Sequence, residues 1–311
     1  MNSRSRVARR MLRLIARRLL YPSFEHIWAA LFLVARLLLR PSPRNILFTG
    51  RDRVIVVAPH PDDEMLGCGG AVIKHAAAGD QVEVLIVTDG GASRARGLSR
   101  PEMVRLRALE AQRAVTTLHP AIRLTLGALP EGEWDGDALS SILTKRLHEI
   151  RPTIIYAPSY VDFHPEHLAI ARCLSMVLRA TLQMKSSMKL RVYELQVPLT
   201  LTLINRKVQL GEEHSKKMAA LGEYWTQGKS FSWQRRQERY LKTLLGSDSP
   251  VEVFWEMEIG DYVRIMNRQL NPQTNFRSMR PRPFSDGLAW LLGTRTRQRL
   301  RHITRHPSPG E

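Results

Sequence analysis

Residues 53–91 read RVIVVAPHPDDEMLGCGGAVIKHAAAGDQVEVLIVTDGG. The first six, Arg53 to Ala58, form an apolar, β-branched run of the kind that makes a strand buried on both faces. It runs into a polar string, Pro59-His60-Pro61-Asp62-Asp63-Glu64. Gly67-Cys68-Gly69-Gly70 then opens a helix expected over Ala71–Ala78 and closed by Gly79. A second apolar run, Val82 to Val87, ends in Thr88-Asp89-Gly90-Gly91. Strand, loop, helix and strand within about 35 residues describe a βαβ unit. The polar string therefore sits at the carboxyl end of a strand, where open α/β sheets hold their ligands.

A second polar string follows another strand. Thr153-Ile154-Ile155-Tyr156-Ala157-Pro158 is again apolar, and Asp162-Phe163-His164-Pro165-Glu166-His167 comes shortly after it, ahead of a helix expected over Leu168–Leu182. Two strands of one parallel sheet can bring their carboxyl ends together, which would gather His60, Asp62, Asp63, His164 and His167 in one cleft. These residue types suit a catalytic zinc, which takes three His, Asp or Glu ligands and keeps a position for water. Amide hydrolysis also needs a carboxylate base and an acid for the leaving amine. Taken singly, a His is more often a structural hydrogen-bonder, and an Asp-Asp pair before a helix is more often a cap. Their pairing at two strand ends is what points to chemistry.

The chain has 311 residues, 43% hydrophobic and 24% charged, which suffices for one sizeable core with appendages. Its 47 Lys and Arg against 29 Asp and Glu give a net charge of +18. Residues 1–45 hold ten Arg and one acid, Glu25, and residues 271–311 hold eight Arg and two acids, Asp286 and Glu311. Those ends contribute +9 and +6, leaving +3 for the 225 residues between them. The basicity belongs to the ends and says little about a pocket. The two cysteines, Cys68 and Cys173, lack CxxC spacing and argue against a disulfide framework or a thiolate zinc site. No GxGxxG turn is present, so no nucleotide is expected.

Three segments follow: 1–45, a basic amphipathic end; 46–270, a catalytic domain; 271–311, an Arg/Pro-rich tail. Arg6, Arg10, Arg13 and Arg17 share one stripe of a first helix, with Leu12, Ile15 and Leu19 on another face. A second helical segment, Phe24 to Leu39, is interrupted by Arg36 and is too short to span a bilayer. The long basic region and Arg40-Pro-Ser-Pro-Arg44 do not fit a signal peptide. We read 1–45 as an interfacial element on an anionic membrane surface, at its cytoplasmic face. The alternative is docking on the protein's own body or an oligomer contact. With no recognition motif and few interleaved aromatics, nucleic acid is not an expected partner. The sequence sets no oligomeric state.

The two strings resemble those of the PIG-L/LmbE-like de-N-acetylases, a strand with His-Pro-Asp-Asp-Glu and a later Asp-x-His-Pro-x-His. The resemblance runs over residues 50 to 260. It takes in RLRALEAQRAVTTL (105–118), LPEGEWDG (129–136), VYELQVPLT (192–200) and KKMAALGEYWTQ (216–227). It implies a Rossmann-like three-layer α/β sandwich with a mostly parallel sheet, and hydrolysis of the acetamide of an N-acetylated amino sugar. It further implies that His60, Asp63 and His167 bind zinc or another divalent metal and that Asp62 is the general base. His164 would stabilise the oxyanion or protonate the amine, with Asp162 orienting it. Arg107 is a candidate substrate contact, its alternative being an ion pair with Glu110. Glu131 matches an acidic substrate-side position, and Glu166 stands outside the metal's ligands. The basic ends favour a lipid-linked or envelope glycan. An amidase acting on a non-sugar or antibiotic amide, or a membrane-associated scaffold without activity, are the alternatives.

Overall fold

Val54 to Val57 are wholly inaccessible to solvent, and their side chains alternate between two cores. Ile55 and Val57 face one, while Val54 and Val56 face the other. A strand with both faces buried has to lie inside a sheet covered by helices on both sides. A computed structural model, describing residues 21–162, 164–181, 188–199, 201–227 and 231–269, shows that sheet.

The elements in chain order are α1 (Tyr21–Leu39), β1 (Arg44–Asn45), β2 (Arg53–Ala58), α2 (Asp63–Ala78), β3 (Gln81–Thr88), α3 (Arg100–Leu118), β4 (Arg123–Leu129), α4 (Gly136–Ile150), β5 (Ile154–Pro158) and α5 (Pro165–Thr181). They continue with β6 (Lys189–Tyr193), β7 (Arg206–Gln209), α6 (Glu213–Gly222), α7 (Ser232–Leu245), β8 (Val251–Glu258) and α8 (Ile259–Gln269). The strand order is β1-β7-β8-β6-β5-β2-β3-β4. All neighbours pair in parallel except β8, which is antiparallel to β6 and β7. Helices α2, α3 and α6 contribute to one core, and α4, α5, α7 and α8 to the other. This is the expected three-layer α/β sandwich.

The chain runs outward from β2 through β3 to β4, then returns to place β5 on the other side of β2. The crevice between β2 and β5 is therefore the point where the winding reverses, the place where such sheets bind ligands. The two polar strings leave from these two strands.

Helix α2 begins at Asp63, eight residues before the expected start at Ala71, and takes in the glycine run. Its glycines serve close approach and not a turn. A Cβ added at Gly67 would run into the Tyr193 ring, and one at Gly70 into Leu210. The helix is broken at Cys68, whose φ and ψ are −149° and 17°. The break is capped from outside. Gly70 N–H and Ala71 N–H donate to the Glu252 carboxylate at 2.7 and 2.8 Å, and Lys217 donates to the same carboxylate at 2.8 Å. Tertiary packing here overrides the weak helix propensity of glycine.

At the amino end, α1 lies on α7, with Phe32 buried against the Tyr240 ring at a centroid distance of 4.3 Å. Part of the expected interfacial segment thus docks on the body. The expected first helix and residues 271–311 lie outside the described residues. Among the described residues, no helix is long and apolar enough to cross a membrane.

Candidate active site

The turn between β2 and α2 is tight. Asp63 N–H donates to His60 O at 3.3 Å, and Asp62 O accepts from Met65 and Leu66. Asp62 pays for this with φ of 117°, a region rarely occupied by a residue with a Cβ and one that persists only when the surroundings impose it. The surroundings are visible. Arg107, from α3, is 4% exposed and donates to Pro61 O and Gly90 O, with Nη2 3.3 Å from Asp62 Oδ2. Glu64 accepts the Asp62 N–H at 3.1 Å and a hydrogen bond from the Tyr224 hydroxyl.

Three donor atoms converge beside this turn. His60 Nδ1 lies 3.1 Å from Asp63 Oδ2, His167 Nε2 lies 3.3 Å from Asp63 Oδ2, and the two ring nitrogens are 3.3 Å apart. Metal–ligand bonds of about 2.0–2.1 Å in a tetrahedron place ligand atoms roughly 3.3 Å from one another. His60, His164 and His167 also offer ring nitrogens within 4.8 Å of each other. The donor set and its spacing fit a divalent metal.

The outer contacts fix the imidazoles. Glu166 Oε2 is 2.7 Å from His60 Nε2, while its Oε1 accepts from Gly132 N–H at 2.8 Å and Trp134 Nε1 at 2.5 Å. Asp162 Oδ2 is 3.1 Å from His167 Nδ1. Each ring thus has one nitrogen against a carboxylate and the other turned to the convergence point, as metal-bound histidines usually do. A second acidic grouping, His60, Glu131, His164 and Glu166, lies on the Nε2 side of His60. There Glu166 is already engaged by three partners, which favours the Nδ1 side for the metal.

The electrostatics agree. Burial disfavours a charged His60, yet the carboxylates of Asp63 and Glu166 outweigh it and raise its pKa to about 9. Burial is likewise outweighed at His167, which Asp63 and Asp162 raise to about 10. Asp63 is held far below the usual carboxylate range by the two histidines, against the effect of burial. The pocket favours positive charge. His164 behaves oppositely, lowered to about 4 by burial and by His60 and His167. Asp62 is raised to about 7 by burial, opposed by Arg107 and reinforced by Asp63.

Some sequence expectations change. Asp162 directs its carboxylate to His167, and it meets His164 through the backbone, whose N–H lies 3.4 Å from Oδ1. Arg107 donates to the Pro61 and Gly90 carbonyls, and among the described residues it forms no ion pair with Glu110, which accepts from Thr226 N–H and Oγ1 at 2.8 and 2.7 Å. Glu131 accepts from Ala92 N–H at 2.9 Å and stands 3.8 Å from His60 Nε2, at the rim of the site. Sequence reading gave no role to Glu64, Trp134 or Tyr224. The one available signal was Glu64's place at the end of the first string.

Residues 55–178, which carry both strings, match the model of the PIG-L family, described as GlcNAc-PI de-N-acetylase. Among solved structures, the chain is similar to N,N'-diacetylchitobiose deacetylase from Pyrococcus horikoshii. The identity is 20% and the TM-score 0.58, over 67% of this chain and 85% of that one. It is also similar to the conserved protein TT1542 from Thermus thermophilus, at 27% identity and TM-score 0.55, over 65% and 93% of the two chains. A third is GalB, the 4-carboxy-2-hydroxymuconate hydratase of Pseudomonas putida, at 17% identity and TM-score 0.53, over 66% and 95%.

Proposed function

We propose that the protein is a metal-dependent deacetylase that hydrolyses the acetamide of an N-acetylated amino sugar carried on a lipid or envelope glycan. The observation that carries this is the convergence of His60 Nδ1, Asp63 Oδ2 and His167 Nε2 within 3.3 Å, with Asp62, strained in its backbone, adjacent in the chain. A hydratase shares the fold, so the site must support the reading and the fold cannot. The family description and the chitobiose deacetylase support an acetylated amino sugar, and the basic ends support an anionic or lipid-linked one.

His60, Asp63 and His167 would hold zinc or a similar divalent ion. Such an ion polarises a carbonyl and lowers the pKa of water from about 16 to about 7. Asp62 accepts the proton lost by the attacking water and passes it to the amine as the C–N bond breaks. Its backbone at φ 117° and the Arg107 guanidinium 3.3 Å from Oδ2 hold that carboxylate in place. His164, neutral at pH 7 given its lowered pKa, donates a hydrogen bond to the oxyanion that forms on the acetyl carbonyl oxygen as water adds to the carbon. Asp162 and Glu166 hold the rings of His167 and His60, and Glu131 lines the substrate side.

A panel of N-acetylated sugars, free and lipid-linked, tests this by acetate release, with antibiotic and peptidic amides as comparison. Release from amino sugars that stops on chelation and returns with metal is expected. Turnover confined to non-sugar amides would overturn the substrate class, and no turnover with full metal loading would overturn the activity.

A further inference from the structure

We propose that the outer face of α1 docks the protein on an anionic lipid bilayer. A surface helix normally turns its apolar stripe to the body and its polar face to water. Helix α1 also turns apolar residues outward. Its docked side carries Phe32, Ala35 and Arg36, the last of which lies against Gly246 at the carboxyl end of α7, where a cation is favoured. Around the opposite side, Ala30, Leu31, Leu33, Val34, Leu37 and Leu38 cover roughly 160° at 100° per residue, with no charge among them. All are exposed, Leu37 and Leu38 to 64% and 77%. Leu39 and Leu47 are also exposed, at 57% and 81%. Elsewhere among the described residues, large exposed hydrophobics are few and scattered.

Charge complementarity selects the occupant. Arg40 and Arg44 follow the apolar face and are exposed. Helix α7, on which α1 rests, exposes Arg235, Arg239 and Lys242 on one stripe at four- and three-residue spacing. No acidic residue lies between Ala29 and Arg51. Residues 1–20 add seven Arg and no acid. A second copy of this chain would bring the same positive charge to the contact and repel it. An anionic bilayer supplies both an apolar interior for the leucines and the counter-charge for the arginines. The docking surface stands apart from the catalytic residues and does not depend on the deacetylase reading.

The test is flotation of the full-length protein with phosphatidylcholine vesicles, with and without phosphatidylglycerol, at low and high salt. Binding to the anionic vesicles is expected, weakened by salt. Leu33→Ser/Leu37→Ser/Leu38→Ser changes only exposed side chains and should lose at least about tenfold in affinity. Arg235→Gln/Lys242→Gln should lose about fivefold per residue on anionic vesicles and little on neutral ones. Circular dichroism and an unchanged thermal melt keep both variants interpretable. Absence of binding by the wild type would overturn the proposal, as would equal binding by the leucine variant. So would a wild-type dimer that the leucine variant converts to monomer without any vesicle binding, which would assign the face to a second copy.

Discussion

Arg107→Met removes a buried guanidinium that faces Asp62 Oδ2 at 3.3 Å and donates to the Pro61 and Gly90 carbonyls. Two consequences follow and they are separable. The two carbonyls left without this donor should destabilise the fold by about 1–3 kcal/mol each, the usual cost of an unsatisfied buried polar group. The electrostatic consequence concerns the base. As the proposed base, Asp62 would work deprotonated, so activity should rise with pH through its pKa. Arg107 favours the charged carboxylate, and its loss must push that pKa up. The acid limb of the pH–rate profile should therefore move upward by about 1 to 3 pH units, the range typical for an aspartate beside an arginine. Just below the original limb the rate should fall about 10- to 1000-fold, with recovery at alkaline pH. Arg107→Lys keeps the charge and should keep the limb near its wild-type position. Acetate release by metal-loaded enzyme against pH, with thermal melting of the same samples, reads both effects. A variant slowed equally at every pH, with its limb unmoved, would refute the idea that Arg107 tunes Asp62.

Asp162→Asn weakens the grip on the His167 ring and should lower metal affinity about 10- to 100-fold without emptying the site at saturating metal; unchanged affinity in a competition titration would contradict it. His60 and His167, raised to about 9 and about 10, hold protons at neutral pH, whereas ligation needs neutral imidazoles. Zinc uptake should therefore release about two protons at pH 7 and tighten as pH rises, which calorimetry in buffers of different ionisation enthalpy would show. Glu252→Gln removes the nearer counter-charge of Lys217, which is 2% exposed and keeps Glu238 at 3.8 Å, and weakens the cap on the broken helix α2. A loss of about 1–3 kcal/mol in chemical denaturation is expected.

The sheet was legible because β2 and β5 are apolar runs and β3 is one broken only by Glu83, whose buried carboxylate pairs with Arg146, close to the pattern a doubly covered strand must have. Both polar strings were legible for the same reason, since each begins where such a run stops. Their adjacency depends on β5 pairing with β2 through Val54–Ile154 and Ile55–Ile155, a long-range choice that local pattern only permits. The start of α2 was placed too late because the glycine run was set ahead of the helix, whereas it lies within it and Gly67 and Gly70 admit Tyr193 and Leu210. Arg107 and Glu110 have helix-pair spacing, yet both side chains turn inward to loops from other parts of the chain. Asp162 lies two residues from His164 and five from His167, and the first turn of α5 brings the farther histidine to its carboxylate. Sequence distance was a poor guide at each of these points because a side chain's partner is set by the fold.

The division of labour between two adjacent carboxylates, Asp62 and Asp63, is the centre of the account. Asp63 points into the His60–His167 convergence, and Asp62 stands beside it at φ 117° against Arg107. Metal content and acetate release should be measured together on Asp62→Asn and Asp63→Asn. Asp63→Asn should lose both metal and activity. Asp62→Asn should keep its metal and lose about 10²- to 10⁴-fold in turnover, the usual worth of a positioned general base. An Asp62→Asn enzyme with near wild-type turnover, or an Asp63→Asn enzyme with full metal content, would contradict the account.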